Sequence, residues 1–109
     1  MNSTAFRKGF TLLLALGMMV FGTAALAHTP LLTCYDNMDG TATCEGGFSD
    51  GSSASGVSMK VLDTEGNILV EGVMAEDSSF VFDIPEVPYV VIFDAGPGHS
   101  IEIKGEDVF

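Results

Sequence analysis

The chain has 109 residues, and fifteen acids against four bases give it a formal charge of −11 at pH 7. Arg7 and Lys8 lie before residue 28 and every acid lies after it, so the 82 residues from 28 to 109 keep only Lys60 and Lys104 and carry −13. That balance excludes nucleic acid as a partner, because phosphate binding needs a basic patch, disfavours anionic membrane surfaces, and leaves room for one small domain.

The first predicted element is an export signal. Arg7 and Lys8 form a charged n-region, Phe10 to Val20 an apolar h-region, and Ala25-Leu26-Ala27 a small-x-small cleavage site. The h-region is short for a membrane span, and no cysteine follows the cleavage site to accept a lipid. Retention as an uncleaved anchor is the alternative. The expected organisation is a signal peptide over 1–27 and a folded domain over 28–109, exported to the periplasm or beyond the cell. Cleavage would leave His28-Thr29-Pro30 as a free terminus. A terminal histidine can close a chelate ring on one metal ion through its α-amine and its near imidazole nitrogen. The alternative is a histidine that merely follows a cleavage site. The square-planar terminal site with histidine third cannot form, because Pro30 holds that position and has no amide proton to release.

From residue 31 the pattern predicts strands throughout. Leu31–Tyr35 and Thr41–Phe48 flank the turn cluster Asp36-Asn37-Met38-Asp39-Gly40. A three-residue loop Met38-Asp39-Gly40, with Gly40 at the bulge, makes facing residue numbers sum to 78, so Cys34 meets Cys44. The export signal places both where disulfides persist, which predicts a structural disulfide; a redox pair or a thiolate metal site is the alternative. The same turn cluster matches part of a calcium loop, but Tyr35 falls on the first ligand and Gly46 on the bidentate glutamate, so turn chemistry accounts for it better.

Ser49–Gly56 reads as a loop. Val57, Met59 and Val61 alternate with Ser58, Lys60 and Leu62 as a half-buried third strand. A turn at 63–67 leads to a fourth strand, Ile68–Val73, and Ala75–Ser79 to a fifth, with Phe80, Phe82 and Ile84 on one face. Tyr89–Phe93 is an unbroken apolar run, expected to be central and buried on both faces. After the tight loop Asp94–His99, Ile101 and Ile103 mark an edge strand, and Gly105–Phe109 is expected to be loose. Seven short strands at this spacing predict an all-β sandwich of immunoglobulin-like or transthyretin-like type. Phe80, Phe82, Tyr89 and Phe93 belong to its core.

If successive strands alternate in direction, the N-terminus shares one pole with the loops after strands two, four and six. His28, Asp50, Glu76, Asp77 and His99 then gather there, and the cysteine hairpin, Glu65 and Glu86 lie at the other pole. His99, the only other histidine, is the second metal-ligand candidate, with Asp50 as a carboxylate in support; an ordinary surface histidine is the alternative. Imidazoles supported by carboxylate suit Ni, Cu, Zn or Co. Met38, Met59 and Met74 are too scattered for a methionine-rich copper motif. No nucleophile elbow or ordered triad is visible, and Gly96-Pro97-Gly98 lacks the Lys and Ser/Thr of a phosphate loop, so no enzyme activity is expected.

Phe48-Ser49-Asp50-Gly51 resembles the aromatic-Ser-Asp-Gly signature of the small exported accessory component of energy-coupling-factor (ECF) type nickel/cobalt ABC transporters. The run from Val57 to Gly66 is similar to that family's alternating strand and Asp-x-x-Gly, Phe80-Val81-Phe82 to its next aromatic strand, and Ala95-Gly96-Pro97-Gly98-His99 to its Ala-Gly-x-Gly-His loop. The resemblance spans most of residues 28–104. It implies a carboxypeptidase-regulatory-like sandwich that helps a membrane permease take up Ni²⁺ or Co²⁺, with His28 and His99 as the metal-linked positions. The Cys34–Cys44 pair and the missing glycine in loop 75–79 depart from the family pattern. Two other functions are expected as alternatives: a periplasmic copper-binding sandwich using the terminal histidine, and a structural or interaction module without metal.

Overall fold

The structure, a computed structural model, describes residues 28–109; the signal peptide expected over 1–27 lies outside the described residues. Seven strands follow in chain order: β1 (Pro30–Asp36), β2 (Thr41–Phe48), β3 (Ser58–Asp63), β4 (Ile68–Val73), β5 (Ser79–Asp83), β6 (Tyr89–Asp94) and β7 (Ser100–Lys104). They form two antiparallel sheets, β1-β2-β5 and β4-β3-β6-β7. The fourth strand pairs with the third, not with the fifth as in constant-type immunoglobulin domains. Among the described residues no helix is long and apolar enough to cross a membrane.

Alternation sends one face of each strand into the space between the sheets. Cys34 of β1, Ala42 and Cys44 of β2 and Phe82 of β5 meet Met59 and Val61 of β3 and Val91 and Phe93 of β6; all are buried. Two loop residues complete this core. Met74 follows β4, and Ala54 plugs inward from the segment read as a surface loop, its N–H donating to Ser78 Oγ at 2.9 Å. Gly46 leaves room for side chains from across the core: a Cβ there would stand 2.8 Å from Met74 Sδ and 2.9 Å from the Phe93 ring.

The hairpin register is the one expected, with Cys34 opposite Cys44, and the two form a buried disulfide with Cα atoms 4.0 Å apart. The turn differs in detail. Gly40 has the left-handed φ of +91°, but Met38 is left-handed too, at +64° and 89 % exposed. Asp36 Oδ1 supports it by accepting the Met38 N–H at 2.7 Å.

Two expectations fail. β6 is central but not buried on both faces: Val91 and Phe93 point inward, while Val90 and Ile92 are half-buried on the outer surface. A two-layer sandwich has no third layer to cover that face. The tail is also ordered. Gly105–Asp107 makes a 3₁₀ turn, Val108 packs on the core, and Phe109 exchanges backbone hydrogen bonds with Asp36 and Cys34 at 2.6 and 3.3 Å. The free edge of β1 offers unpaired backbone groups, and the tail satisfies two of them, Asp36 N–H and Cys34 C=O.

Two outcomes follow from this core. Reduction of the disulfide should destabilise the domain by about 2–4 kcal/mol, at the low end for so short a loop; chemical denaturation with and without reductant measures it, and unreduced protein should show no thiol reactive to labelling. Gly46→Ala should cost about 1–3 kcal/mol, the usual penalty of overpacking. The Met74 tail can swing aside, but the Phe93 ring is fixed against Phe48 at a centroid distance of 6.0 Å. An unchanged denaturation midpoint would show that the sheets can part at no cost.

Candidate functional site

Of the residues expected at one pole from strand parity, His28, Asp50 and His99 come together, whereas Glu76 and Asp77 do not join them. The pairing of β1 with β2 continues past the end of both strands: Ser49 N donates to Thr29 O at 2.9 Å, and Thr29 N donates to Ser49 Oγ at 3.0 Å. The next residues outward are His28 and Asp50, and His28 Nδ1 lies 2.6 Å from Asp50 Oδ2. The histidine side chain is 58 % exposed and the aspartate side chain 31 %.

Asp50 is itself held in place. Its other carboxylate oxygen accepts the Ser52 backbone N–H at 2.9 Å and the Ser52 hydroxyl. These bonds to Ser52 hold the Asp50 carboxyl below the usual carboxylate range, and the nearby His28 ring lowers it further. An ionised carboxylate facing an imidazole in this way favours the protonated ring nitrogen as donor.

His99 comes to the same place from the other sheet. The loop between β6 and β7 is closed by Ala95 N donating to His99 O and His99 N donating to Gly96 O, at 3.0 and 2.9 Å. Gly96 and Gly98 take left-handed φ values of +112° and +77° that allow so tight a path. Within it, His99 Nδ1 lies 3.1 Å from the carbonyl oxygen of Pro97. His28 and His99, with Phe48, Ser52 and Ala95, line one shallow depression of about 250 Å³.

The third loop of this pole joins through Ser53 Oγ and Ser78 Oγ, 3.0 Å apart. Asp77 lies with Glu45, Gly47, Ser52 and Ser53 around a neighbouring groove, not in the histidine depression, and Glu76 is exposed. At the opposite pole Thr64, Val87, Tyr89 and Gly105 line a separate groove. The three candidate residues His28, Asp50 and His99 are therefore brought to one end. Among the described residues, however, no group of three or more His, Cys, Asp or Glu side chains is arranged to hold a metal ion. The cysteines are consumed by the disulfide, which removes the thiolate alternative from this structure.

Sequence reasoning did not single out Ser49, Ser52 or the Pro97 carbonyl. Asp50-x-Ser52 does carry a signal, the Asx-turn pattern in which an aspartate accepts the N–H two residues on. The Pro97 carbonyl leaves none, since any residue there has one.

Comparison with protein-family models, with curated proteins and with solved structures finds no match to this chain.

Because its pKa is lowered on folding, Asp50 contributes stability that is complete above the ordinary aspartate value of 3.8 and is lost as pH falls through the lower folded value. Asp50→Ala should thus be less stable than the parent at pH 6, and the difference should close as pH falls below the ordinary aspartate value. Urea midpoints across that range measure it; a gap that stays constant would mean the carboxylate charge is irrelevant to the loop.

Proposed function

We propose that residues 28–109 are an exported domain that binds one divalent transition-metal ion through His28 and His99 and passes it to a membrane permease, a binding role without catalysis. The observation carrying this reading is that the two histidines of the chain, seventy-one positions apart and on opposite sheets, line the same depression. Imidazole suits Ni, Co, Cu and Zn by softness, and Asp50 adds negative charge beside it. Export is supported by the leader pattern of residues 1–27 and by the Cys34–Cys44 disulfide, a bond that persists in oxidising compartments. The preference for Ni²⁺ or Co²⁺, and the permease as partner, rest on the motif resemblance. A copper-binding role would use the same two ligands, and competition between metals at equal free concentration separates the two.

A second reading has its own observation. Edge strand β4 exposes Ile68, Leu69 and Val73, and an edge with apolar side chains is a template for pairing with another chain. That favours an interaction module independent of metal.

Calorimetry on residues 28–109 decides between them, with Ni²⁺, Co²⁺ and Cu²⁺ titrated separately. One equivalent should bind. His28→Ala and His99→Ala should each weaken binding about tenfold or more, as loss of one ligand of a pair requires, and Asp63→Asn at the opposite pole should change nothing. Affinity should fall from pH 8 to pH 6, because ligand nitrogens must shed their protons to bind. Absence of binding for all three metals, or equal binding by the double histidine variant, would leave only the interaction module.

A further inference from the structure

Both imidazoles have the same nitrogen occupied. His28 Nδ1 faces Asp50 Oδ2 at 2.6 Å, and His99 Nδ1 faces the Pro97 carbonyl oxygen at 3.1 Å. Neither an ionised carboxylate nor a carbonyl has a proton to give, so in each ring Nδ1 carries the N–H and donates it. A neutral imidazole then has its lone pair on Nε2. A chelate through the α-amine and the near ring nitrogen would use Nδ1 of His28, and forming it would break the contact with Asp50. Asp50 is not free to follow the ring, since Ser52 holds its other oxygen through a backbone N–H and a hydroxyl.

We infer that the pole is a bis-imidazole site that takes a divalent metal through Nε2 of His28 and Nε2 of His99, with Asp50 and the Pro97 carbonyl orienting the rings and not coordinating the ion. This rests on the metal-binding reading proposed above and replaces the terminal chelate as its binding mode. Oxygen acceptors on the far ring nitrogen are the usual outer support of metal-bound histidine, fixing its tautomer and orientation. Two protein ligands leave the other coordination positions to water. Structural sites are closed by four protein ligands; this one stays open, so the ligands of a receiving protein can add to the ion before the two imidazoles let go. The site is thus suited to transfer of an ion, not to storage. Asp50 is a positioning residue.

The test compares residues 28–109 with the same domain carrying Gly-Ser before His28, which removes the α-amine from reach and leaves both rings. Zn²⁺ serves as a diamagnetic probe in long-range ¹H–¹⁵N spectra of the imidazoles, and Ni²⁺ as the calorimetric probe. On adding Zn²⁺ the Nε2 resonances of both histidines should shift while both Nδ1 stay protonated, and the two forms should bind Ni²⁺ within about threefold of each other. Asp50→Ala should weaken binding about tenfold or more, within the range for outer-shell partners, and should mix the His28 tautomers in the metal-free spectrum. Asp50→Asn should restore neither, because its one amide oxygen stays with the two Ser52 donors and the NH₂ left facing His28 Nδ1 can only donate. A tenfold loss on extending the terminus, or a shift at His28 Nδ1, would overturn the inference and restore the amine chelate while leaving metal binding intact. Normal binding and a single His28 tautomer in Asp50→Ala would remove the positioning role. No binding by either form would remove the metal-binding reading itself, and this inference with it.

Discussion

The register in which β1 lies on β2 decides what can happen at the pole that carries the histidines. Facing residue numbers sum to 78 along the whole ladder, from Asp36–Ala42 to Pro30–Phe48. The rule continues past the strands, through the hydrogen bonds of Thr29 with Ser49, to the contact of His28 with Asp50. A slip of one residue would turn Cys34 out of the core and carry His28 to the other face of the ribbon. The disulfide prevents that slip, since it would turn the two cysteine Cβ vectors to opposite faces of the ribbon, where no bridge can form. A covalent bond in the core thereby fixes the contact of His28 with Asp50 at the surface, six residues further along the chain.

The acidity of the domain has a more local origin than cation capture. Asp36, Asp39, Asp50, Asp63, Asp77 and Asp94 each accept the backbone N–H of the residue two positions on. These aspartates stand at the hairpin tip and at the loops after β2, β3, β4 and β6, where the chain reverses. Hydrogen bonding lowers the pKa of four of them, Asp39, Asp50, Asp63 and Asp77, and for each the largest cause is a bond from a side chain two or four residues on. A small sandwich needs many turns and aspartate is a good turn residue, which accounts for six of the fifteen acids behind the charge of −13. Net charge alone is therefore weak support for the metal-binding reading, which rests on the two histidines that share one depression and on Asp50 beside them.

Seven strands, the disulfide and the gathering of His28, Asp50 and His99 at one pole were legible in the sequence because each follows from a short-range rule: alternation, turn chemistry, or parity of direction. Carried outward past Pro30, the hairpin register also sets residue 28 opposite residue 50, a pairing that the parity argument alone does not give. What was not legible depends on distant parts of the chain. The tail at 105–109 looks loose by composition, yet it finds the backbone groups of β1 that no other strand pairs. The apolar run Tyr89–Phe93 has the pattern of a strand covered on both sides, but whether a third layer exists is a property of the whole chain. Ala54 lies in a Ser/Gly segment whose pattern says loop; only the space between Met74 and the sheets makes it a core residue. The nitrogen each histidine presents was equally hidden, because it is chosen by Asp50 in one case and by a main-chain carbonyl in the other.

The two histidines are positioned by different means, and the core joins them. His28 is placed by strand register on one sheet, whereas His99 is placed by a glycine-bounded loop on the other. Their separation depends on how the sheets stack beneath them. Phe48, the last residue of β2, lines the depression and packs against Phe93 of β6 at 6.0 Å with the rings tilted by 57°. Phe48 precedes Asp50 by two residues, and Phe93 precedes the loop that carries His99. Gly46, two residues before Phe48 on the same strand, permits the close approach of that same Phe93 ring. A glycine and two phenylalanines thus link the segments that carry the two imidazoles. Packed cores resist small changes in volume, so the depression inherits the rigidity of the sandwich even though both of its histidines lie at the surface.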